Sequence, residues 1–320
     1  NNGVDLYVEY LRNGVATDSN IELIKSVNNK IIIENVGGCA YQTLGKVLER
    51  LNVQDSFEWF NTAETPFFHG IGKSEVDPKG NKCFYDWSVD AAVIVKEKDN
   101  SVRMPVIETL NYNEKLSDKP VGTVVLITDP DHDRLSITQV ESKDRIPVLK
   151  ELGLDYVELN QDRLLVVYTP NQGFLLIMDF WARQLKEKGL WDNHPRFMIK
   201  TTASAMSWDE WAAKNGVAVV NVPVGFKEIA NIMKKVEKQI KENPDAVVKV
   251  KDVYGNEVTL GVQPRMIFGG EESGGMIIGP EELIKSKAGR VAIAMREKSA
   301  TEAIVIASAM VSYLEQNNKY

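Results

Sequence analysis

Apolar residues recur along the chain in two rhythms, and the switches between them mark out its elements. Val4, Tyr7, Val8 and Leu11 stand at helical spacing between Asn2 and Asn13, with Gly14 as a stop. Asp18 or Ser19 is placed to cap a second helix carrying Ile21, Leu23, Ile24 and Val27. Lys30 to Glu34 reads as a short buried strand. Gly37 and Gly38 follow, then a helix from Tyr41 to Leu51 with Leu44, Val47, Leu48 and Leu51 inward. This strand, turn and helix lacks both G-x-G-x-x-G and G-x-x-x-x-G-K-[ST], so the two glycines read as close backbone packing rather than a nucleotide site. Phe57 to Phe60 reads as a strand, Asn61 to Gly80 as loop, Ser88 to Val95 as a strand and Val106 to Leu116 as a helix.

Val124 to Ile127 is an unbroken apolar run, the pattern of a strand covered on both faces. Leu135 to Val140 alternates and reads as an antiparallel strand. Ser142 to Asp162 is charged and reads as an irregular insertion, with a domain boundary near Tyr168. Helices are then expected over Gly173–Lys188, Trp208–Lys214 and Phe226–Ile240, and strands at Phe197–Ile199, Val217–Val222 and Val258–Ile267. Arg290 to Leu314 reads as one or two long helices, of which Ala303 to Leu314 is buried and too short to cross a bilayer. Such alternation is the α/β class, here two consecutive three-layer α/β/α domains with mixed sheets.

Composition narrows the function. The 320 residues are 43% hydrophobic and 26% charged, enough for two globular domains. Lys and Arg number 38 against 45 Asp and Glu, a net charge of −7, which disfavours nucleic-acid and anionic-membrane partners. Cys39 and Cys83 lie far apart and outside metal-ligand spacing, as expected of reduced thiols in a cytoplasmic protein. The three histidines, His69, His132 and His194, are not grouped at metal-ligand spacing either. No signal peptide is seen, and the start at Asn1-Asn2 without Met suggests an excerpt from a longer protein.

The chemistry gathers where the Val124–Ile127 strand ends. Asp129, Asp131 and Asp133 alternate with Pro130 and His132, so in an extended segment their carboxylates share one side. Three such anions repel one another unless a hard cation sits among them, and Mg²⁺ is the expected occupant. An EF-hand calcium loop needs Gly at its sixth position and Glu at its twelfth, which here are Arg134 and Val140. A solvated acidic turn is the plain alternative, and Arg134, a bidentate partner for phosphate, argues against it. A haloacid dehalogenase phosphatase fits less well, since Asp133 stands where Thr or Val is expected.

Asp129-Pro-Asp-His-Asp-Arg134 matches D-x-D-x-D-R, the metal loop of the α-D-phosphohexomutases, the family of phosphoglucomutase and phosphomannomutase. Gly270-Glu271-Glu272-Ser273-Gly274 resembles their sugar-binding G-E-x-S-G loop, and Gly225-Phe226-Lys227 resembles their G-[FW]-K turn. The resemblance implies domain II with the metal loop over 1–167 and domain III with the sugar loop over 168–320. It also implies a hexose phosphate substrate bound by Glu271, Ser273, Lys227 and Arg134. Glu271 and Ser273 alternate, and as an extended pair they would project together onto a sugar.

The family's reaction moves phosphate between the 1- and 6-hydroxyls through a phosphoserine and a bisphosphate. Its serine loop, T-A-S-H-N-P, is matched nowhere; Thr201 to Met206 comes nearest, and Ser204 reads as a helix cap instead of a nucleophile. The expected parent is therefore a phosphohexomutase, and this chain alone is expected to be inactive, its flanking domains being missing. A non-catalytic sugar-phosphate-binding protein is the alternative.

Overall fold

The computed structural model describes residues 3–65, 68–71, 73–74, 84–85, 95–96, 102–286 and 289–317. Most of the strand expected from Ser88 to Val95, part of the loop expected before Gly80, and Cys83 lie outside the described residues. The chain forms two compact units, one of Asn1–Glu22 with Pro170–Met310 and one of Leu23–Thr169 with Val311–Tyr320.

The unit that includes Leu23–Thr169 is built on a six-stranded sheet. In spatial order its strands are Phe57–Phe60, Ile31–Glu34, Val124–Thr128, Leu135–Ser142, Arg163–Tyr168 and Asp155–Glu158. The first three run parallel and the rest antiparallel, so the sheet is mixed. Ile31–Glu34 and Val124–Thr128, in the interior, are buried along their whole length, as unbroken apolar runs require. Ile32, Val125, Ile127, Val140 and Leu165 share one core with Tyr112 and Leu116.

Two expectations need correction here. The segment 142–162 is no irregular insertion: it holds the helix Ile146–Glu151 and the edge strand Asp155–Glu158, paired with Arg163–Tyr168. Leu149 packs with Leu164 and Val166 and anchors that helix, so a few apolar positions outweigh the charged composition. The single helix expected over Val106–Leu116 is two, Pro105–Thr109 and Tyr112–Lys115, broken where Asn111 takes φ 54°.

The other unit carries a four-stranded sheet in the order Ala218–Val222, Arg196–Thr201, Arg265–Gly270, Met276–Ile277, the first three parallel and the last antiparallel. The register shifts between Phe197 and Met198, so that Met266 pairs with Phe197 but Phe268 pairs with Met198. Met266 then packs in a core with Ile229, Met233 and Val236 of the helix Phe226–Glu242. Phe268 meets Phe174 and Trp208, from the helices Pro170–Glu187 and Met206–Asn215. Helices thus cover both faces, giving three layers.

Val258–Ile267, expected as one strand, is split between Glu257–Val262 and Arg265–Gly270. The long helix expected from Arg290 begins only at Ala300, because the preceding residues bond elsewhere: the Ile293 amide and the Arg296 guanidinium both donate to Glu237. The helix Gly3–Asn13 is fixed in this unit by Tyr7, whose hydroxyl lies 2.6 Å from Ser299 Oγ, and by Tyr10, whose hydroxyl lies 3.3 Å from both Ile278 O and Glu302 Oε2. The next helix is capped by Thr17, whose Oγ1 accepts from the Asn20 amide at 3.3 Å, rather than by Asp18 or Ser19. Among the described residues no helix is long and apolar enough to cross a membrane.

Candidate functional site

The aspartate loop leaves the carboxyl end of Val124–Thr128, where parallel strands present ligand-facing edges. Asp129 is fully buried and satisfied within its own loop. Its Oδ1 accepts from the amides of Asp133 and Arg134, both at 2.9 Å, and its Oδ2 accepts from Arg134 Nε at 2.6 Å. Burial pushes the Asp129 carboxyl upward, but the Arg134 amide and guanidinium outweigh it and hold the carboxyl below its usual range. Asp131, exposed, is pushed the other way, by partial burial and by the negative charge of Asp129. Burial lowers His132 to about 4 despite the opposing pull of Asp129, so the imidazole is neutral at neutral pH.

Asp129, Asp131 and Asp133 each offer an oxygen within 4.8 Å of the others. Octahedral Mg²⁺ holds oxygens at about 2.1 Å and hence adjacent ligands about 3 Å apart and opposite ones about 4 Å. The set thus fits a hard divalent cation after small side-chain adjustments, with waters completing the shell. Arg134 lies 3.6 Å from Asp133 as well as against Asp129, so its guanidinium is engaged with the carboxylates. Leu135–Ser142 follows at once as a strand, which leaves no room for the helix of an EF-hand.

A second strand end buttresses this loop. A Cβ on Gly38 would lie 2.3 Å from Pro130 O, and the Cys39 amide donates to that same oxygen at 3.0 Å. The glycine pair therefore serves close backbone approach, against the metal loop itself. Behind it the buried Glu34 accepts from the Val36 amide, Asn61 Nδ2 and Tyr112 OH at 2.7 to 2.9 Å. Burial raises its carboxyl despite these donors. Sequence reasoning missed Glu34, since its partners are spread as far away as Tyr112.

The glycine-rich loop leaves the buried strand Arg265–Gly270 and returns as Met276–Ile277. It is a turn, closed by the Gly274 amide on Glu271 O at 3.3 Å and the Glu271 amide on Gly275 O at 3.0 Å. The extended spacing that would aim Glu271 and Ser273 together does not hold: Glu271 is buried and Ser273 exposed. Lys298 Nζ reaches Glu271 Oε1 at 3.3 Å, and a Cβ on Gly275 would lie 2.5 Å from Lys298 Cδ, so the glycine makes room for that ion pair. Lys298 was also missed, because a Lys shortly before a helix start carries no signal of its own. Lys227 is exposed in the first turn of Phe226–Glu242, after Gly225 at φ 121°. Ser204 does not cap the following helix, whose cap is Ala205; its hydroxyl bonds to Thr201.

Two mixed sheets, each with an acidic loop at the carboxyl end of a buried strand, define an α/β protein. Residues 176–313 match the family model for the phosphoglucomutase/phosphomannomutase α/β/α domain III. The match covers 176–313 alone, the part of the chain that holds the Gly225-Phe226-Lys227 turn and the Gly270–Gly274 loop, and agrees there with the resemblance read from those motifs; the aspartate loop lies outside it. Among solved structures it is similar to a putative phosphomannomutase from Thermus thermophilus, at 16% identity and TM-score 0.53, covering 97% of this chain and 47% of that one. It is likewise similar to an Aspergillus fumigatus N-acetylphosphoglucosamine mutase variant solved with glucose 1,6-bisphosphate, at 12% identity and TM-score 0.51, with the same coverages. At those identities the likeness is one of fold. The chain spans about half the length of these structures. No curated protein matches it by sequence.

Proposed function

We propose that the chain is the metal- and sugar-binding portion of a cytoplasmic phosphohexomutase of phosphoglucomutase or phosphomannomutase type. In this reading Asp129, Asp131 and Asp133 hold Mg²⁺, while Glu271 and Ser273, with Lys227 and Arg134, bind a hexose phosphate. The observation that carries it is the approach of three carboxylates to within 4.8 Å at the end of a buried strand, in a chain that also matches mutase domain III. The ion would neutralise charge on the phosphoryl group in transfer. Arg134, whose guanidinium is ordered by Asp129, would serve as a fixed cation beside it. Glu271, held by Lys298, would accept from a sugar hydroxyl, and Ser273, exposed on the same turn, would donate or accept from its own separate position.

The full reaction would pass phosphate between the 1- and 6-positions through a phosphoserine supplied by a flanking part of the same polypeptide. The length of the solved mutases, about twice that covered here, is in keeping with this. The bisphosphorylated hexose bound to the fungal mutase supports the substrate class. The test is conversion of glucose 1-phosphate to glucose 6-phosphate by the purified chain with Mg²⁺ and glucose 1,6-bisphosphate. No turnover above background is expected, and clear turnover would contradict the assignment of the serine to a flanking domain.

A further inference from the structure

The strands Arg196–Thr201 and Arg265–Gly270 are parallel neighbours with Lys200 opposite Gly270, so Thr201 stands beside the start of the glycine-rich loop. Thr201 is fully buried, and its Oγ1 lies 2.5 Å from Glu272 Oε2 and 2.9 Å from Ser204 Oγ. An ionised carboxylate only accepts, so the Thr201 hydroxyl donates to Glu272; its single proton is then used, and Ser204 must donate to Thr201. Below them the buried Lys200 donates to Ser204 O at 3.2 Å and Ala205 O at 3.4 Å and pairs with Asp209 at 2.7 Å. Both hydroxyl protons in this chain of bonds point toward the loop. Two buried hydroxyls are no better than apolar side chains for packing, and here their polarity ends on a single loop carboxylate.

We infer that Thr201 is a positioning residue for the glycine-rich loop, holding Glu272 so that Glu272 acts as a strap and Glu271 is set for the ligand. The inference rests on the reading of that loop as sugar-binding. It assigns Glu272, next to the proposed ligand residue Glu271, no contact with the sugar. It also gives Ser204 a supporting role, since its proton is committed to Thr201.

The experiment uses the whole chain and two readouts. Binding of glucose 1,6-bisphosphate in the presence of Mg²⁺ is measured by calorimetry for wild type, Thr201→Val, Thr201→Ser, Glu272→Ala and the Thr201→Val/Glu272→Ala double variant. Amide exchange of Gly274, whose N–H closes the turn on Glu271 O, is measured without ligand. Thr201→Val and Glu272→Ala are each expected to weaken binding about tenfold, Thr201→Ser to keep it near wild type, and the double variant to be no worse than either single one. Gly274 exchange should rise in Thr201→Val and Glu272→Ala while the global unfolding midpoint stays near that of wild type. Additive losses, or a loss in Glu272→Ala with none in Thr201→Val, would make Glu272 a direct ligand and overturn the strap. If wild type binds nothing, the sugar reading fails separately, and unchanged Gly274 exchange in both variants would overturn the strap on its own.

Discussion

Within the aspartate loop the buried carboxylate is satisfied locally, by the amides and guanidinium of residues four and five positions on. In the glycine-rich loop, Glu271 and Glu272 are satisfied from outside, by Lys298 and Thr201, 27 and 71 residues away in sequence. The first arrangement leaves three carboxylates facing one arginine, an imbalance that a cation relieves. The second already pairs one carboxylate with a lysine and gives the other to a hydroxyl. One loop is thus ordered by its own residues, and the other by residues the fold brings to it.

The largest expected effect concerns pH and separates the two units. Glu302, fully buried beside Tyr10 and the Ile278 amide, is raised from 4.5 to about 8, chiefly by burial. Folding therefore retains a proton that the unfolded chain releases, and stability from this group is full below pH 4.5 and lost as pH rises through about 8. The loss is on the order of 5 kcal/mol, and Glu302→Gln should flatten that slope in urea denaturation followed across the range. Asp129, held below 3.8, acts in the opposite sense: its contribution is present above that value and fades as pH falls through its lowered pKa.

Next in size, Asp129→Asn removes the charge that Arg134 and two amides serve, and should cost about 3 kcal/mol in unfolding free energy. Asp131→Asn should instead raise the melting temperature slightly without metal, since it removes a like charge facing Asp129, while abolishing the rise that Mg²⁺ produces in wild type. Ser273→Ala, at an exposed position, should leave stability within about 0.5 kcal/mol while weakening hexose phosphate binding.

The locality that distinguishes the loops also governs what could be read from residues alone. Val124–Ile127 announced a buried strand because both faces are apolar, and the aspartates announced themselves because the partners that order Asp129 lie within five residues. Gly37 and Gly38 were legible as close backbone packing, though not that Pro130 was the backbone approached. Glu34, Thr201 and Lys298 carry no local pattern; each gains its role from a residue brought close only by the sheets. The charge of 142–162 concealed an edge strand, because at a sheet edge only alternate positions need be apolar. Spacing misled at Glu271 and Ser273 because a turn, not an extended segment, follows Gly270.

The most direct test is a calorimetric titration of the chain with MgCl₂, run beside the Asp131→Asn/Asp133→Asn variant. One saturable ion per chain in wild type, absent from the variant while its circular dichroism is unchanged, is the predicted result. No binding by wild type at millimolar Mg²⁺, or equal binding by both proteins, would contradict the assignment of the aspartate loop as a metal site.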